Sequence, residues 1–123
     1  IAFINFRQGS LLTEARTKVL SELTLARSQT LASEGQSSWG VHFETSRLVR
    51  FKGQVYSATD SSNQENPLPA GTQIRSISLG GSSEVIFERL TGRTANTGTV
   101  ILELISDPLS STTIRIYGSG IAE

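Results

Sequence analysis

The chain has a single histidine, His42, and the carboxylates that would have to join it in a metal site, Asp60, Glu103 and Asp107, are scattered along the sequence. Zinc needs several His or Cys ligands at short intervals and an EF-hand needs a run of closely spaced acidic residues; neither spacing occurs here. A satisfied histidine on an alternating strand is the simpler account of His42. There is no cysteine, which excludes a disulfide framework, a thiolate zinc site and a cysteine nucleophile. Serines are abundant, but none stands in a G-x-S-x-G elbow, so no Ser/His/Asp triad is indicated. Gly80-Gly81-Ser82-Ser83 lacks the lysine and the following helix of a phosphate loop and reads as a hairpin turn. We assign no catalytic, metal-ligating or cofactor-binding residue, and expect a protein that is not an enzyme.

Nucleic-acid binding is the other chemistry to weigh. Arg47, Arg50 and Lys52 would form a small basic edge near Phe51 and Tyr56, and Arg89, Arg93 and Arg115 a second. Eleven basic and eleven acidic residues cancel, so no overall field recruits DNA or anionic lipid. Alternation along the strand places Phe51 inward, away from Arg50 and Lys52, where it cannot serve as a stacking platform. A solvated strand face accounts for these charges better than a DNA site does.

The elements that carry these residues are legible from periodicity. Leu12, Ala15, Val19, Leu23, Ala26 and Thr30 recur at three- and four-residue steps, one stripe of an α-helix. The spacing predicts an amphipathic helix over residues 1–35, ended by Gly35 and supported by a Glu14–Lys18 pair, with Glu22 in reach of Lys18. Gly9 is its weak point, since glycine costs about 1 kcal/mol relative to alanine inside a helix. Ile1-Ala2-Phe3-Ile4-Asn5-Phe6 is apolar on nearly every side. At 1.5 Å per residue the helix would run to about 50 Å, against about 30 Å for a compact domain built from the rest. Residues 1–10 are therefore expected to project, and a projecting apolar helix calls for a membrane or for copies of itself. The run is short of the roughly 20 residues that span a bilayer, so more of a membrane segment is expected upstream.

From residue 36 the period changes to 2 and the chain reads as a β-rich head over 36–123. Strands are expected at 38–44, with Val41 and Phe43 facing opposite to His42 and Glu44, and at 47–52, with Val49 and Phe51 inward and Arg50 and Lys52 outward. Val55-Tyr56 would close a hairpin across Gly53-Gln54. Residues 57–71, carrying Pro67 and Pro69, read as a polar loop. Further strands are expected at 73–79, 84–89, 99–105 and 113–117, joined by short turns that make neighbours antiparallel. The fold class is thus α+β: a long N-terminal helix packed on one antiparallel sheet of six or seven strands. At 37% apolar and 123 residues there is room for one core and no second domain.

Three segments in this order resemble type IV pilin-like proteins, and more narrowly the minor-pseudopilin (GspH/FimT-like) class. They are Leu20-Ser21-Glu22-Leu23-Thr24-Leu25-Ala26-Arg27-Ser28 at the helix end; Val85-Ile86-Phe87-Glu88-Arg89-Leu90-Thr91-Gly92-Arg93 followed by Gly98-Thr99-Val100; and the closing Ile114-Arg115-Ile116-Tyr117-Gly118-Ser119-Gly120-Ile121. The family's leader, cleavage-site glycine, methylated Phe and nearby Glu match no residue here, so processing and charge-pairing roles fall on no position. Its C-terminal disulfide has no counterpart without cysteine.

The resemblance implies a structural subunit of a type IV pilus or pilus-like filament. Such a subunit is anchored in the inner membrane before assembly and lies in the periplasm or on the cell surface afterwards, with other pilin or pseudopilin subunits as partners. A type II secretion pseudopilin and a DNA-binding competence-pilus subunit are the alternatives; the tail Gly118 to Glu123 lacks the basic residues expected of a DNA-binding terminus. Ile1, Phe3, Ile4, Phe6 and Leu11 are the expected assembly contacts. Burying the first four apolar side chains among them, Ile1, Phe3, Ile4 and Phe6, would contribute roughly 6 to 12 kcal/mol. Association costs about 4 to 15 kcal/mol, so these residues would not hold a filament alone.

Overall fold

The computed structural model describes residues 2–123, with side chains from Ser10 onward. Helix α1 (Ala2–Leu31) is followed by a 3₁₀ turn (Glu34–Gln36) and seven strands: β1 (Trp39–Phe43), β2 (Arg47–Lys52), β3 (Gln64–Pro67), β4 (Thr72–Ser78), β5 (Glu84–Ile86), β6 (Gly98–Leu104) and β7 (Ser111–Ile116). The α+β class agrees with the sequence reading. The single sheet does not: the strands form two antiparallel sheets, ordered β3-β2-β1-β5 and β4-β6-β7. The chain leaves β3 through Pro67-Leu68-Pro69, where two residues lack an N–H donor and cannot carry a ladder onward. The Leu68 amide donates to Ser46 O and the Ile74 amide to Thr45 O, which ties the start of the second sheet to the β1–β2 turn of the first.

The predicted stripe of α1 forms the centre of the core. Ala15, Val19, Leu23 and Ala26 are buried against Val41, Phe43 and Leu48 of one sheet and Val100, Leu102 and Ile114 of the other. The helix therefore lies across both sheets and is the element that joins them. Its end comes at Leu31, earlier than Gly35. Thr30 is fully buried; its hydroxyl donates to Ala26 O at 2.8 Å and accepts the Trp39 amide at 2.9 Å, so the last helical turn is stitched to the first strand. Ser33, Gly35 and Gln36 then take left-handed conformations that turn the chain, and the Trp39 indole closes the turn on Glu34 O.

Three other expectations are corrected here. Val55-Tyr56 is not a strand: Val55 is exposed, and Tyr56 folds back to stack on His42. The polar loop 57–71 contains β3, which pairs with β2 through its backbone although Gln64-Glu65-Asn66-Pro67 has no apolar alternation. The helix pair is also different from the one expected, since Lys18 donates to Pro67 O at 2.8 Å and Glu22 turns to the sheet. Among the described residues no helix is long and apolar enough to cross a membrane.

Candidate functional site

The basic edge foreseen at Arg47, Arg50 and Lys52 is divided between the two faces of its sheet. Cross-strand partners share a face. Val41 stands opposite Arg50 and Phe43 opposite Leu48, whereas His42 stands opposite Val49 and Gly40 opposite Phe51. The helix-facing side of β2 thus carries Leu48, Arg50 and Lys52, and the far side carries Arg47, Val49 and Phe51. This reverses the expected facing. Alternation separates two faces but does not say which one a helix will cover; here the far face is buried as well, beneath the segment that carries Tyr56. Val49 and Phe51 are 0% and 1% exposed, and Tyr56 meets Phe51 edge-on at 5.7 Å between ring centroids.

Each of the two arginines is held by carboxylates. Arg50 Nη1 lies 2.6 Å from Glu22 Oε2, and Asn66 Nδ2 donates to the other Glu22 oxygen at 2.5 Å, so a network spanning α1, β2 and β3 sits in the interface. Glu22 is 7% exposed at its side chain, a burial that a carboxylate tolerates only when paired. Arg47 donates to Glu44 at 2.8 and 3.2 Å and pairs with Glu65 at 2.7 Å. Lys52 runs alongside Gly35, its ammonium 2.6 Å from where a Cβ on that glycine would lie. The three residues do not converge on one surface, and neither arginine is presented to a phosphate.

His42 belongs to the same outer array. Nδ1 is 2.5 Å from Glu84 Oε2, Nε2 is 3.3 Å from Glu44 Oε2, and Tyr56 stacks on the ring at 3.8 Å and 6°. The two carboxylates approach opposite edges of the imidazole, so they do not meet at a point that a metal could occupy together with the ring. The row Glu84, His42, Glu44, Arg47, Glu65 instead runs from β5 across β1 and β2 to β3, linking every strand of this sheet by side chains. Its members come from four separate segments, so no local sequence motif marks it.

Arg47, as hydrogen-bond donor and as neighbouring charge, holds the Glu44 carboxyl below its ordinary 4.5 against the opposing effect of burial. Because the folded state binds this proton more weakly than the unfolded chain, the contribution of Glu44 to stability is whole above pH 4.5 and is lost as pH falls through its folded value. Arg47→Ala should flatten the acid limb of a stability–pH curve in that window. Urea melts of both proteins at a series of acidic pH values check this; parallel curves would exclude the pair as the cause.

Of the expected assembly contacts, Leu11 is described: it is half-buried, with Cδ1 3.7 Å from the Cβ position at Gly71. Ile1 and the side chains of Phe3, Ile4 and Phe6 lie outside the described residues, as does the projection of residues 1–10. The opposite flank of α1 gives a surface that the sequence reading did not single out. Thr17, Leu20, Ser21, Thr24 and Leu25 line a shallow open groove. Thr24 also borders a recess of about 100 Å³ completed by Arg27, Ser28, Gly120, Ile121 and Ala122. Leu25 and Ile121 are 48% and 51% exposed, so this flank is partly apolar and uncovered. Its signal was Leu25, an apolar residue lying off the main stripe; Leu20 beside it is half-buried against the core.

Compared with protein-family models, with curated proteins and with solved structures, the chain matches none of them.

Proposed function

We propose that the protein is a structural subunit of a pilus-like filament, held at a bilayer by the apolar segment Ile1–Phe6 before assembly and joined to its neighbours through α1 afterwards. The observation that carries this reading is the two-sided character of α1. One stripe is consumed by the head, while the flank of Thr17, Ser21, Thr24 and Leu25 stays open, with Leu20 at its margin packed against the core. A helix that served only to cover the sheets has no need of an exposed leucine on that flank, where Leu25 is 48% exposed. The order of the three segments that resemble minor pseudopilins adds support, and a secretion pseudopilus fits the same features as a surface pilus. DNA capture fits less well, because Arg47 is engaged by Glu44 and Glu65 and Arg50 by Glu22. A structural role also agrees with the use made of His42, whose ring is enclosed by Glu84, Glu44 and Tyr56.

The absence of native cysteine makes the test clean. A Phe6→Cys/Leu25→Cys double variant, oxidised in producing cells, should give a ladder of disulfide-linked multimers on non-reducing gels. Adding Phe3→Ser should cut multimer yield about tenfold or more, because one buried aromatic side chain is worth roughly 1.5 to 3 kcal/mol. The head's far-UV spectrum should be unchanged. Monomer alone from a folded double variant would refute filament assembly.

A further inference from the structure

At the end of the domain where α1 enters, the turn between β6 and β7 holds two apolar side chains out of the fold. Ile105 is 56% exposed and Leu109, at the tip, 94%. The turn is tied to the helix entry point: the Ile105 amide donates to Gly71 O at 2.9 Å, and Gly71 packs beside Leu11. Five residues further along α1 from Leu11, Arg16 donates to Thr113 O in β7, which fixes the hairpin tip level with the N-terminal part of the helix.

The tip is built to keep its shape. Asp107 Oδ1 accepts the Leu109 amide, Oδ2 accepts the Ser110 hydroxyl, the Ser110 amide donates to Asp107 O and the Leu104 amide to Ser110 O. Both oxygens of the one acid in the turn are therefore engaged within it. The other nearby acid, Glu103, is 6% exposed at its side chain and faces Gln73 and Arg75. Arg75, 45% exposed at its side chain, reaches over to Pro108 O. What the hairpin offers outward is a leucine, an isoleucine and the exposed side of Arg75, with its own carboxylates, Asp107 and Glu103, engaged within the fold; Glu14 of α1 is an exposed acid at this end.

An exposed leucine on a rigid turn gains most where it enters an apolar phase without losing conformational freedom. Resting on the proposed bilayer attachment of residues 1–6, we infer that this turn is a second membrane contact: Ile105 and Leu109 dip into the interface and Arg75 lies at the anionic headgroups. The partner is the phospholipid surface. Two contacts, one through the N-terminal segment and one through the β6–β7 turn, fix how the head stands on the bilayer, where a single anchor would leave it free to swing.

The test uses the full chain with single cysteines carrying an environment-sensitive fluorophore, at Leu109→Cys, Ile105→Cys, Phe3→Cys and Leu90→Cys. Leu90 is 89% exposed in the turn that Arg27 contacts, about 24 Å further along the helix axis, and serves as an equally apolar control at the far end. The probe is mixed phosphatidylcholine and phosphatidylglycerol vesicles containing a lipid-borne quencher. Quenching at positions 3, 105 and 109 but not at 90 supports the inference. So does a loss of about tenfold in vesicle partitioning for Leu109→Ser, the factor expected for roughly 1.4 kcal/mol of burial. Quenching at 3 without quenching at 109 overturns the inference and leaves the proposed anchor standing. Absence of quenching at both overturns the anchor together with the second contact. A spectral change at 109 that occurs without vesicles, or equal quenching at 90, overturns it in favour of contact between copies or unspecific adsorption.

Discussion

Arg50→Met should destabilise the protein by about 3 to 5 kcal/mol, because it leaves the Glu22 carboxylate between α1 and the sheet with no countercharge. Asn66 would still donate to it, but a single amide does not replace a cation at a side chain only 7% exposed. Against a typical total stability of about 5 to 15 kcal/mol, this is a large share. Removing both charges should behave differently. In Glu22→Met/Arg50→Met no buried ion remains, and Arg50 Nε, which is buried with no partner in the native fold, no longer has to be accommodated. We expect the double variant to regain most of the lost stability, since a buried ion pair is often close in worth to apolar groups of the same volume. A double-mutant cycle by urea denaturation measures the coupling. If the double variant is as unstable as the sum of the single ones, the two residues act independently and the network is not what holds the helix here.

Gly98→Ala should be comparably severe, through a different cause. Gly98 opens β6 at φ 147°, and a Cβ there would lie 1.8 Å from Ser78 O and 2.9 Å from the Ser78 carbonyl carbon. Those are backbone atoms of the paired strand β4, so relief requires the two strands to part. A residue forced into such a backbone region costs about 1 to 3 kcal/mol, and overpacking adds about 1 to 3 kcal/mol more. Gly80→Ala separates the two contributions. Gly80 also has positive φ, at 71°, but a Cβ there meets nothing within 4 Å, so it should lose only about 1 to 2 kcal/mol. Thermal melts of the two variants should therefore differ, with Gly98→Ala lower by about 5 °C or more. Equal melting temperatures would mean that conformation, not the approach of Ser78, sets the cost at Gly98.

What the sequence made legible, and what it hid, follows from where each side-chain signal came from. The stripe Ala15, Val19, Leu23, Ala26 and Thr30 was readable because a helix against a core repeats every 3.6 residues, and β2 was bounded correctly at Arg47–Lys52 for the equivalent reason in a strand. β3 was invisible because Gln64–Pro67 contributes backbone pairing and a single amide to the core network, with no apolar side chain to mark it. The division into two sheets was hidden because short antiparallel links say which strands are neighbours in sequence but not where a ladder stops. The facing of Arg50 was misread for a more general reason. A charged residue is assigned to solvent by default, and its partner Glu22, 28 residues away on a helix, could be found only once the helix was laid on the sheet. The row of Glu84, His42, Glu44, Arg47 and Glu65 was hidden in the same way, as it exists only in the assembled sheet.

The strand borders carry a last consequence. Arg16 closes Thr113 O at the outer side of β7, and the tail pairs Glu123 with Arg115 next to it. Lys18 closes Pro67 O at β3, and the Asn96 and Thr94 side chains take the Ile86 amide and carbonyl at β5. At each of these three borders a hydrogen-bonding group that a neighbouring ladder would use is already occupied, in two of the three by a cation from α1, and at the fourth border, β4, the Ile74 amide is taken by Thr45 O. Each such cap blunts an edge against ladder-sharing with another copy, the route by which open borders propagate cross-β stacks. The same arrangement makes the docked helix a safeguard: a molecule whose α1 comes away frees a carbonyl on β7 and another on β3 at once, and with them two places where a foreign strand can begin to pair.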